Sequence, residues 1–394
     1  MALFTWLSIG AAAVVVLLAG LLRGRTFALF AGILLGIHTS VSIAIAPYFE
    51  AVFPLYAYLQ AAVYVHFVLL VRPRMRSLAY RAFISVPSSF FVAGVFLSFP
   101  WAIASAFGAE LGYLFIPFAA SFFGLMQSLR HKPEEVDVAL SRESVATLRR
   151  HPHGGGRVDR PLRIVQITDP HLGPFMSEAR LRGICERAVA KAPDLVFLTG
   201  DFLTMESHGE PQALAHALAP LANLQGKVFA CHGNHDHEAP ETVASALRSI
   251  GATLLVDDAT ETETPAGPVQ IVGMDYHYRH RRERMAEVCA RHPRREGSLR
   301  VILLHDPGAF EHLDRGEGDL VFSGHTHGGQ LGLLSLGLPH TIVSALTKIP
   351  DHGLWARGTD RLYVHRGTGH YGFPVRLGVP AEESLLRVHV VKDA

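Results

Sequence analysis

Charged side chains are almost missing from the first third of this 394-residue chain. The chain contains 36 basic and 35 acidic residues, yet residues 1–128 contain only six Arg, two Glu and neither Lys nor Asp. Soluble domains carry charge over their whole surface, so this segment is not an ordinary soluble domain. The two signs balance over the chain, and there is no basic stripe of the kind that binds nucleic acid.

Cysteine is also scarce. The three cysteines, Cys185, Cys231 and Cys289, form no C-x-x-C pair. An odd number without a pairing motif excludes a disulfide framework and fits a reducing compartment. We expect each to be a small, buried apolar side chain.

Long apolar stretches occupy the first third instead. Each is close to the ~20 residues that cross the hydrocarbon core of a bilayer. No Lys or Arg precedes the first stretch and no clear cleavage site follows it, so we expect it to remain attached. The five stretches are residues 3–22, 27–49, 52–71, 82–106 and 111–129.

The connections between these stretches alternate in charge. Arg-rich connections stay in the cytoplasm. Five spans therefore place the N-terminus outside and everything after residue 130 inside, as in a multi-pass protein of the inner (cytoplasmic) membrane whose C-terminal domain lies in the cytoplasm. The basic connections are Arg23 with Arg25, the four Arg of 72–81, and 130–132; the acidic ones contain Glu50 and Glu110.

The fourth stretch leaves the number of spans open. Pro100 and Trp101 lie in the fourth stretch and are also compatible with an interfacial helix. Loss of one span would reverse one end of the chain.

His38 and His66 lie within spans, where an ionisable group suggests function. We expect both to be neutral, hydrogen-bonded packing residues, so the segment serves as an anchor that contacts the bilayer.

The sequence after residue 130 becomes polar and alternates between apolar runs and helical patterns. We predict a transmembrane domain over 1–130, a linker with a possible first strand (E-V-D-V-A-L) over 131–161, and an α/β domain over 162–394. The linker contains a Gly triplet at 154–156. Helices are predicted at 177–191 and 240–250 by their apolar spacing, with Gly251 ending the second. The predicted strands are L-R-I-V-Q-I-T, D-L-V-F-L, K-V-F-A, V-Q-I-V-G, R-V-I-L-L and D-L-V-F.

Polar clusters follow five of these apolar runs. Ligands of α/β sheets bind beyond the carboxyl ends of strands, so these clusters are expected to meet at one rim. Singly, Asp, Asn and His are common turn residues, but together they offer a mixed donor set that suits Mn, Fe or Zn. The clusters are T-D-P-H at 168–171, T-G-D at 199–201, H-G-N-H-D at 232–236, H-D-P at 305–307 and S-G-H-T-H at 323–327.

The order D-x-H, G-D, G-N-H-D, H, G-H-T-H resembles the calcineurin-like metallophosphoesterase superfamily. The later G-H-T-H-G-G-Q and Y-V-H-R-G-T-G…P-V-R resemble its bacterial membrane-associated phosphodiesterases, and the likeness covers about residues 133–390. It implies an α/β/β/α sandwich, preceded here by an all-helical transmembrane domain, and two divalent metal ions (Mn, Fe or Zn). The implied ligands are Asp169, His171, Asp201 and His327 for one ion, and Asp201, Asn234, His305 and His325 for the other.

The resemblance also assigns catalytic roles. His235 is similar to the family's catalytic histidine, and Asp236 is expected to orient it. Arg376 and Tyr276 are tentative substrate residues, since a guanidinium suits phosphate. The G-D motif continues as G-D-F-L-T-M without the Arg of the protein phosphatases, which argues against that activity. We expect His232, His237, His277 and His280 to be solvated or to support the ligands.

The expected reaction is metal-dependent hydrolysis of a phosphodiester or pyrophosphate bond. A membrane anchor favours a lipid-linked substrate, and the family includes UDP-diacylglucosamine pyrophosphatases. One alternative is a tethered phosphodiesterase of soluble nucleotides; another is a nonenzymatic membrane receptor that keeps a relic phosphoesterase domain. All seven ligand positions match, whereas a relic normally loses ligands. No nucleic-acid partner is expected, and the native substrate, the metal and the oligomeric state stay open.

Overall fold

A computed structural model describes residues 1–72, 74–109, 112–140, 144–152, 160–370, 372 and 375–390. These residues divide into two compact units. The helical unit consists of Met1–Leu129 with two short segments from later in the chain, Met205–Gly209 and Gly372–Leu377. The remaining described residues form the sandwich unit.

Apolar helices build the helical unit. Among the described residues, three helical stretches are long and apolar enough to cross a membrane: Ala2–Leu22, Arg25–Leu70 and Leu78–Leu97. The helices are α1 (Ala2–Leu22), α2 (Arg25–Ile45), α3 (Phe53–Leu70), α4 (Leu78–Tyr80), α5 (Val86–Leu97), α6 (Phe99–Ala106) and α7 (Phe115–Ser128), with a 3₁₀ segment at Ala46–Val52 and a π-helical turn at Arg81–Ser85.

Helices α2 and α3 fold back on each other. Thr39 Oγ1 lies 2.8 Å from Tyr64 Oη, and Ser42 Oγ lies 2.8 Å from Tyr56 Oη. Because the partner number falls along α3 as it rises along α2, the two helices run antiparallel. Gln60 completes this buried polar cluster, with Oε1 3.1 Å from His38 Nε2 and 2.9 Å from Ser42 Oγ.

Neither of the last two predicted spans is a single helix of full length. Residues 82–106 divide at Ser98, where α5 ends, and Pro100 lies in the first turn of α6. Helix α7 has 14 residues, which at 1.5 Å per residue is about 21 Å, less than the ~30 Å of a hydrocarbon core. The prediction of five spans, with the orientation that depends on it, stays a prediction.

Two β-sheets build the sandwich unit. The first has the order β1-β13-β3-β4-β5-β6 and the second β2-β11-β12-β10-β9-β8-β7. Strands β3 to β6 are mutually parallel, as are β8, β9, β10 and β12. The strands are β1 (His131–Leu140), β2 (Val145–Arg150), β3 (Leu162–Ile167), β4 (Leu195–Leu198), β5 (Val228–Ala230), β6 (Thr253–Leu254), β7 (Asp258–Thr264), β8 (Gly267–Met274), β9 (Leu299–Leu304), β10 (Leu320–Ser323), β11 (Gly353–Gly358), β12 (Asp360–Val364) and β13 (Ala381–Val390).

Helices cover the outer faces of the two sheets. Ile164 and Phe197 of the first sheet pack with Phe322 of the second in the central core. The alternate face of the first sheet packs on α8 and α10, and that of the second sheet packs on α11. These layers confirm the predicted α/β/β/α sandwich. The helices are α8 (Glu178–Ala190), α9 (Pro211–Leu218), α10 (Pro240–Ser249), α11 (Arg281–Arg291) and α12 (Ile342–Leu346).

The predicted apolar runs become β3, β4, β5, β8, β9 and β10, and the two predicted helices become α8 and α10. Gly251 has φ +70°, as the predicted helix end requires. E-V-D-V-A-L lies in β1, but the expectation of a linker is wrong at Val145–Arg150, which pairs as β2 with β11. The Gly triplet at 154–156 lies outside the described residues. All three cysteines are buried and free, as predicted.

Candidate metal centre

Neighbouring parallel strands carry the predicted ligands to one end of the sandwich. Asp169 and His171 follow β3, Asp201 follows β4, and Asn234 follows β5. In the second sheet, His305 follows β9, and His325 and His327 follow β10. Side chains from both sheets therefore meet because the carboxyl ends of these strands point the same way.

The backbone is bent sharply where the ligands lie. Five of the seven predicted ligands have a positive φ: Asp169 (50°), His171 (46°), Asp201 (56°), His325 (64°) and His327 (50°). A residue with a side chain rarely adopts this left-handed conformation, which costs on the order of 1–3 kcal/mol at each position. Such strain concentrates at functional sites, and here it aims successive donors inward.

Two glycines make room for the carboxylates. A Cβ atom on Gly233 would collide with Asp201 Oδ1, and one on Gly324 would collide with Asp169 Oδ2. Any larger residue at either position would displace a donor oxygen. The G-N-H-D and G-H-T-H motifs thus need their glycines for space.

One donor group consists of Asp169, His171 and His327, all buried. His327 Nε2 lies 3.3 Å from Asp169 Oδ1 and 3.2 Å from His171 Nε2. Thr168 Oγ1 donates to Asp169 Oδ2 at 2.7 Å, and the backbone N–H of His325 donates to both Asp169 oxygens at 3.1 Å. These hydrogen bonds fix the carboxylate while leaving it close to the imidazoles.

The second group consists of Asp201, His305 and His325. His305 Nε2 lies 3.3 Å from Asp201 Oδ2 and 3.2 Å from His325 Nδ1. The other ring nitrogen of His305 is held by the Thr199 carbonyl at 2.6 Å. Asp201 Oδ2 also lies 3.7 Å from His171 Nε2 of the first group, so this carboxylate is adjacent to both groups.

Asn234 supplies the observation that favours a cation. Its Oδ1 is buried and has no hydrogen-bond partner among the described residues. Buried side-chain oxygens normally have a partner, and an amide oxygen beside carboxylates and imidazoles is a suitable ligand for a divalent ion. The donor set therefore fits divalent metals, as the sequence predicts.

Burial and charge shift the pKa values of these groups in opposite directions. Burial raises the pKa of Asp169 to about 6 and lowers that of His171 to about 3. Burial alone would lower the pKa of His305, but the nearby Asp201 carboxylate raises it to about 10. The buried His171 thus resists protonation, and a neutral imidazole is the form that ligates metals.

His235 lies beside the donor groups. Its backbone N–H donates to Asp201 Oδ1 at 2.9 Å, and its ring centre is 5.7 Å from that of His171. Its Nδ1 is 3.1 Å from Glu238 Oε1. Burial would lower the pKa of His235, but the hydrogen bond and charge of Glu238, with the charge of Asp201, raise it. Glu238 was not predicted, and its spacing of three residues within the following turn was the available signal.

Asp236 bonds to the backbone of the ligand loops, and its predicted role in orienting His235 stays a prediction. Its Oδ2 accepts hydrogen bonds from the backbone N–H groups of Asp201 and Gly233, both at 2.7 Å, and its Oδ1 accepts one from Phe202 at 2.9 Å. The carboxylate joins the loops after β4 and β5, and in these contacts it is Glu238, not Asp236, that holds the His235 ring. Asp236 is therefore a positioning residue for the ligand loops.

The two tentative substrate residues lie in different environments. Tyr276 follows β8, and its ring centre is 6.0 Å from that of His325 and 6.5 Å from that of His305. Arg376 is fully buried in the helical unit, where its backbone N–H donates to the Gly124 carbonyl at 3.1 Å. Substrate binding by either side chain stays a prediction.

The four histidines expected to be solvated or to support the ligands have carboxylate neighbours or are exposed. His232 and His237 lie near Asp275, and His277 Nε2 lies 3.0 Å from Asp257 Oδ2. His280 is exposed at the start of α11.

Comparison with known proteins gives the following matches. Residues 162–329 match the family model of the calcineurin-like phosphoesterases. The chain is 31% identical over 234 residues to phosphodiesterase YaeI of Escherichia coli, an alignment that covers 58% of this chain and 82% of that protein.

Two further relatives are more distant. UDP-2,3-diacylglucosamine pyrophosphatase LpxG of Chlamydia trachomatis is 28% identical over 290 residues, covering 60% of this chain and 84% of that protein. A transmembrane protein with a metallophosphoesterase domain from Danio rerio is 28% identical over 245 residues, covering 56% of this chain and 52% of that protein.

Proposed function

We propose a function for this chain from the family to which it belongs, the calcineurin-like phosphoesterases: it is a membrane-anchored, two-metal hydrolase of phosphodiester or pyrophosphate bonds in a lipid-linked substrate. The observation that carries the reaction is the position of Asp201, adjacent to both donor groups. A single carboxylate there can be shared by two cations.

Each side chain has a separate role in this proposal. Asp169, His171 and His327 would hold one ion, Asn234, His305 and His325 would hold the other, and Asp201 would contribute to both. When bound, two such ions provide a nucleophile at neutral pH and neutralise the charge that develops on phosphorus.

His235 is the proposed proton donor to the leaving oxygen. Its backbone N–H is bonded to the Asp201 carboxylate, and Glu238 holds Nδ1. The proton for the leaving group is therefore assigned to Nε2. This role suits a poor leaving group such as an alkyl or sugar phosphate, which needs protonation as its bond to phosphorus breaks.

An exposed apolar segment supports the lipid-linked substrate. Residues 331–349 contain no acidic side chain, and Leu336 and Leu346 are 75% and 77% exposed. Four other large apolar residues of the segment are also exposed: Leu333, Leu338, Ile342 and Ile349. Exposed apolar side chains grouped in this way suit acyl chains.

This apolar segment is tied to the ligand loop. Thr326, which lies between His325 and His327, donates through Oγ1 to the Asp351 carbonyl at 2.7 Å. The Asp351 carboxylate in turn accepts a short hydrogen bond from Thr341 Oγ1, within the apolar segment. An acyl chain held there would therefore be held at a set position relative to the ions.

The helical unit supports the proposed anchoring in the membrane. Its three apolar helical stretches have the length and composition of spans, and the Arg-rich connections favour the cytoplasm for the residues that follow. The relatives named as a transmembrane protein and as a UDP-diacylglucosamine pyrophosphatase are consistent with a substrate at a membrane surface.

A substrate panel tests the proposal. Full-length protein in nanodiscs with Mn²⁺ would be assayed on UDP-2,3-diacylglucosamine, the same compound without acyl chains, bis(p-nitrophenyl) phosphate, cyclic nucleotides and a phosphomonoester. We expect the acylated compound to have a kcat/KM at least about 10-fold above its deacylated form, as burial of even part of an acyl chain provides. Equal values would exclude lipid recognition, and a preference for nucleotides would favour the soluble-substrate alternative.

A paired variant sharpens the test. Leu336→Ser with Leu346→Ser is expected to reduce the ratio of the acylated to the deacylated kcat/KM, because both side chains lie in the exposed apolar segment. Val256→Ser is the control, since Val256 is also exposed but lies outside that segment. If both proteins changed the ratio equally, the segment would have no specific role.

A further inference from the structure

A third group of donors lies outside the seven predicted ligands. His232 follows β5, Asp275 follows β8 of the other sheet, and His237 lies in the turn Asp236–Glu238. One donor atom from each residue lies within 4.8 Å of the other two. None of these residues has a task in the proposed reaction.

The spacing within this group is close to that of a coordination shell. His237 Nε2 is 3.0 Å and His232 Nδ1 is 3.5 Å from the same atom, Asp275 Oδ1. Ligand bonds of 2.0–2.2 Å to a tetrahedral Zn²⁺ place neighbouring donor atoms about 3.3–3.6 Å apart. An ion can therefore be accommodated with small side-chain adjustments.

His232 provides the second, independent observation. The residue is only 7% exposed, yet neither ring nitrogen has a hydrogen-bond partner among the described residues. A buried imidazole normally satisfies both nitrogens. The contact of Nδ1 with Asp275 at 3.5 Å is too long for a good hydrogen bond, and it leaves Nε2 of this buried ring without a described partner.

A nearby pair, His277 with Asp257, shows how a histidine and a carboxylate are arranged without a third donor. His277 Nε2 lies 3.0 Å from Asp257 Oδ2, and Asp257 Oδ1 accepts a hydrogen bond from the Asp275 backbone N–H at 2.8 Å. This pair is a histidine with a carboxylate, but it is not part of any three-donor group among the described residues. It is therefore the matched control for the third group.

We propose that His232, His237 and Asp275 form a further binding site for a divalent transition-metal ion of the Zn²⁺ class. Two imidazoles and a carboxylate are the ligands that such ions prefer, and three protein ligands leave a fourth position for water or an anionic oxygen. The side chain of His237 is 41% exposed, so that position is accessible from solvent. The proposal does not depend on the seven-residue centre being loaded.

Metal stoichiometry tests this site. Full-length protein in detergent would be stripped with a chelator, incubated with excess Zn²⁺, separated from free metal and measured by mass spectrometry of the bound metal. We expect His237→Ala and Asp275→Asn each to bind one Zn²⁺ fewer per chain than the wild type. His277→Ala is expected to bind as many as the wild type.

The test compares the number of Zn²⁺ ions bound per chain by each variant and by the wild type. Its result therefore does not depend on how many ions the seven-residue centre binds. His237 lies at the surface, and its replacement is not expected to affect folding, which circular dichroism would verify. Calorimetric titration should show a class of Zn²⁺ sites weakened in His237→Ala by more than the roughly 10- to 100-fold that follows loss of an outer partner. Equal stoichiometry for wild type and His237→Ala would overturn the proposal, as would loss of the same ion in His277→Ala.

Discussion

Both units of this protein bury polar side chains, but they do so in different ways. In the helical unit, Ser42, Tyr56 and Gln60 are neutral and bond to one another across the antiparallel pair α2 and α3. In the sandwich unit, the buried polar groups at the strand ends are carboxylates and imidazoles on strained backbone, and Asn234 Oδ1 has no described partner.

The difference separates two uses of buried polarity. A neutral cluster that satisfies its own hydrogen bonds specifies how two helices pack. A charged cluster held in unfavourable backbone conformations needs something else to stabilise it, and a bound cation provides that. The predictions below test the two uses, starting with the change that should have the largest effect.

Asp201→Asn is expected to abolish hydrolysis, with a decrease in kcat of at least about 10⁴-fold, because two ions lose their shared charge. Bound metal should decrease, while circular dichroism should show an intact fold. Asp257→Asn is the control, since it removes an Asp paired with a histidine outside the seven ligands. Full activity of the Asp201→Asn protein, or of the wild type after exhaustive chelation, would exclude the two-metal mechanism.

His235→Ala should reduce kcat by roughly 10²- to 10⁴-fold and leave bound metal nearly unchanged, because this residue is proposed to donate a proton and not to ligate. The loss should be smaller for nitrophenyl esters, whose leaving groups need no proton. Equal losses for nitrophenyl and alkyl esters would contradict the role as an acid and favour electrostatic stabilisation. Rates on both ester types, with metal analysis, decide between them.

Glu382 is a buried charge of the sandwich unit outside the seven predicted ligands. It tests whether such a charge stabilises the fold without binding metal. Burial alone would raise its pKa, but the charges of His365 and Arg366 and a hydrogen bond from Tyr363 lower it from 4.5 to about 2. The charged form therefore stabilises the fold above pH about 4.5, and this contribution is lost as the pH falls toward 2.

Glu382→Gln should cost about 3 kcal/mol of unfolding free energy at pH 7, as a shift of this size implies. Urea unfolding of the metal-free protein at pH 7 and pH 3 would measure it, and the difference from the wild type should shrink at pH 3. Bound metal at pH 7 should not change. A difference independent of pH would show that Glu382 acts by packing alone.

Gln60→Leu is expected to have the smallest effect. It removes the hydrogen bonds to His38 and Ser42, and polar contacts between membrane helices contribute about 0.5–2 kcal/mol. Thermal unfolding in detergent should show a small decrease in stability, and hydrolysis of bis(p-nitrophenyl) phosphate should be unaffected. A large loss of activity would mean that the helical cluster also has a functional role.

The sequence predicted the strands and the polar clusters for the same reason, whereas the α/β/β/α sandwich and the ligand roles were implied by the family resemblance. Strands buried on both faces appear as continuous apolar runs. Asp169 and His305 follow directly after such a run, and Asp201 lies three residues after one. Strand β2 was missed because its residues V-A-T-L-R-R show no such run, and its pairing with β11 joins residues about 200 positions apart in the chain.

Contacts between distant segments limited the prediction of the site. Asp236 is next to His235 in the sequence, which suggested that it orients the ring, but it accepts hydrogen bonds from the loops after β4 and β5. The approach of Asp275 to His232 and His237 depends on how the two sheets pack. Neither arrangement can be inferred from spacing along the chain.

The left-handed backbone at five of the ligand positions has a consequence for the exchange of ions. Because folding has already bent the chain and directed the donors, an arriving cation does not have to order them, and we expect its affinity to contain little conformational entropy cost. The same stiffness limits how far the donors can adjust to ionic radius. Ions of similar size should therefore replace one another readily, whereas Ca²⁺, which prefers six to eight oxygen ligands at longer distances, should compete poorly.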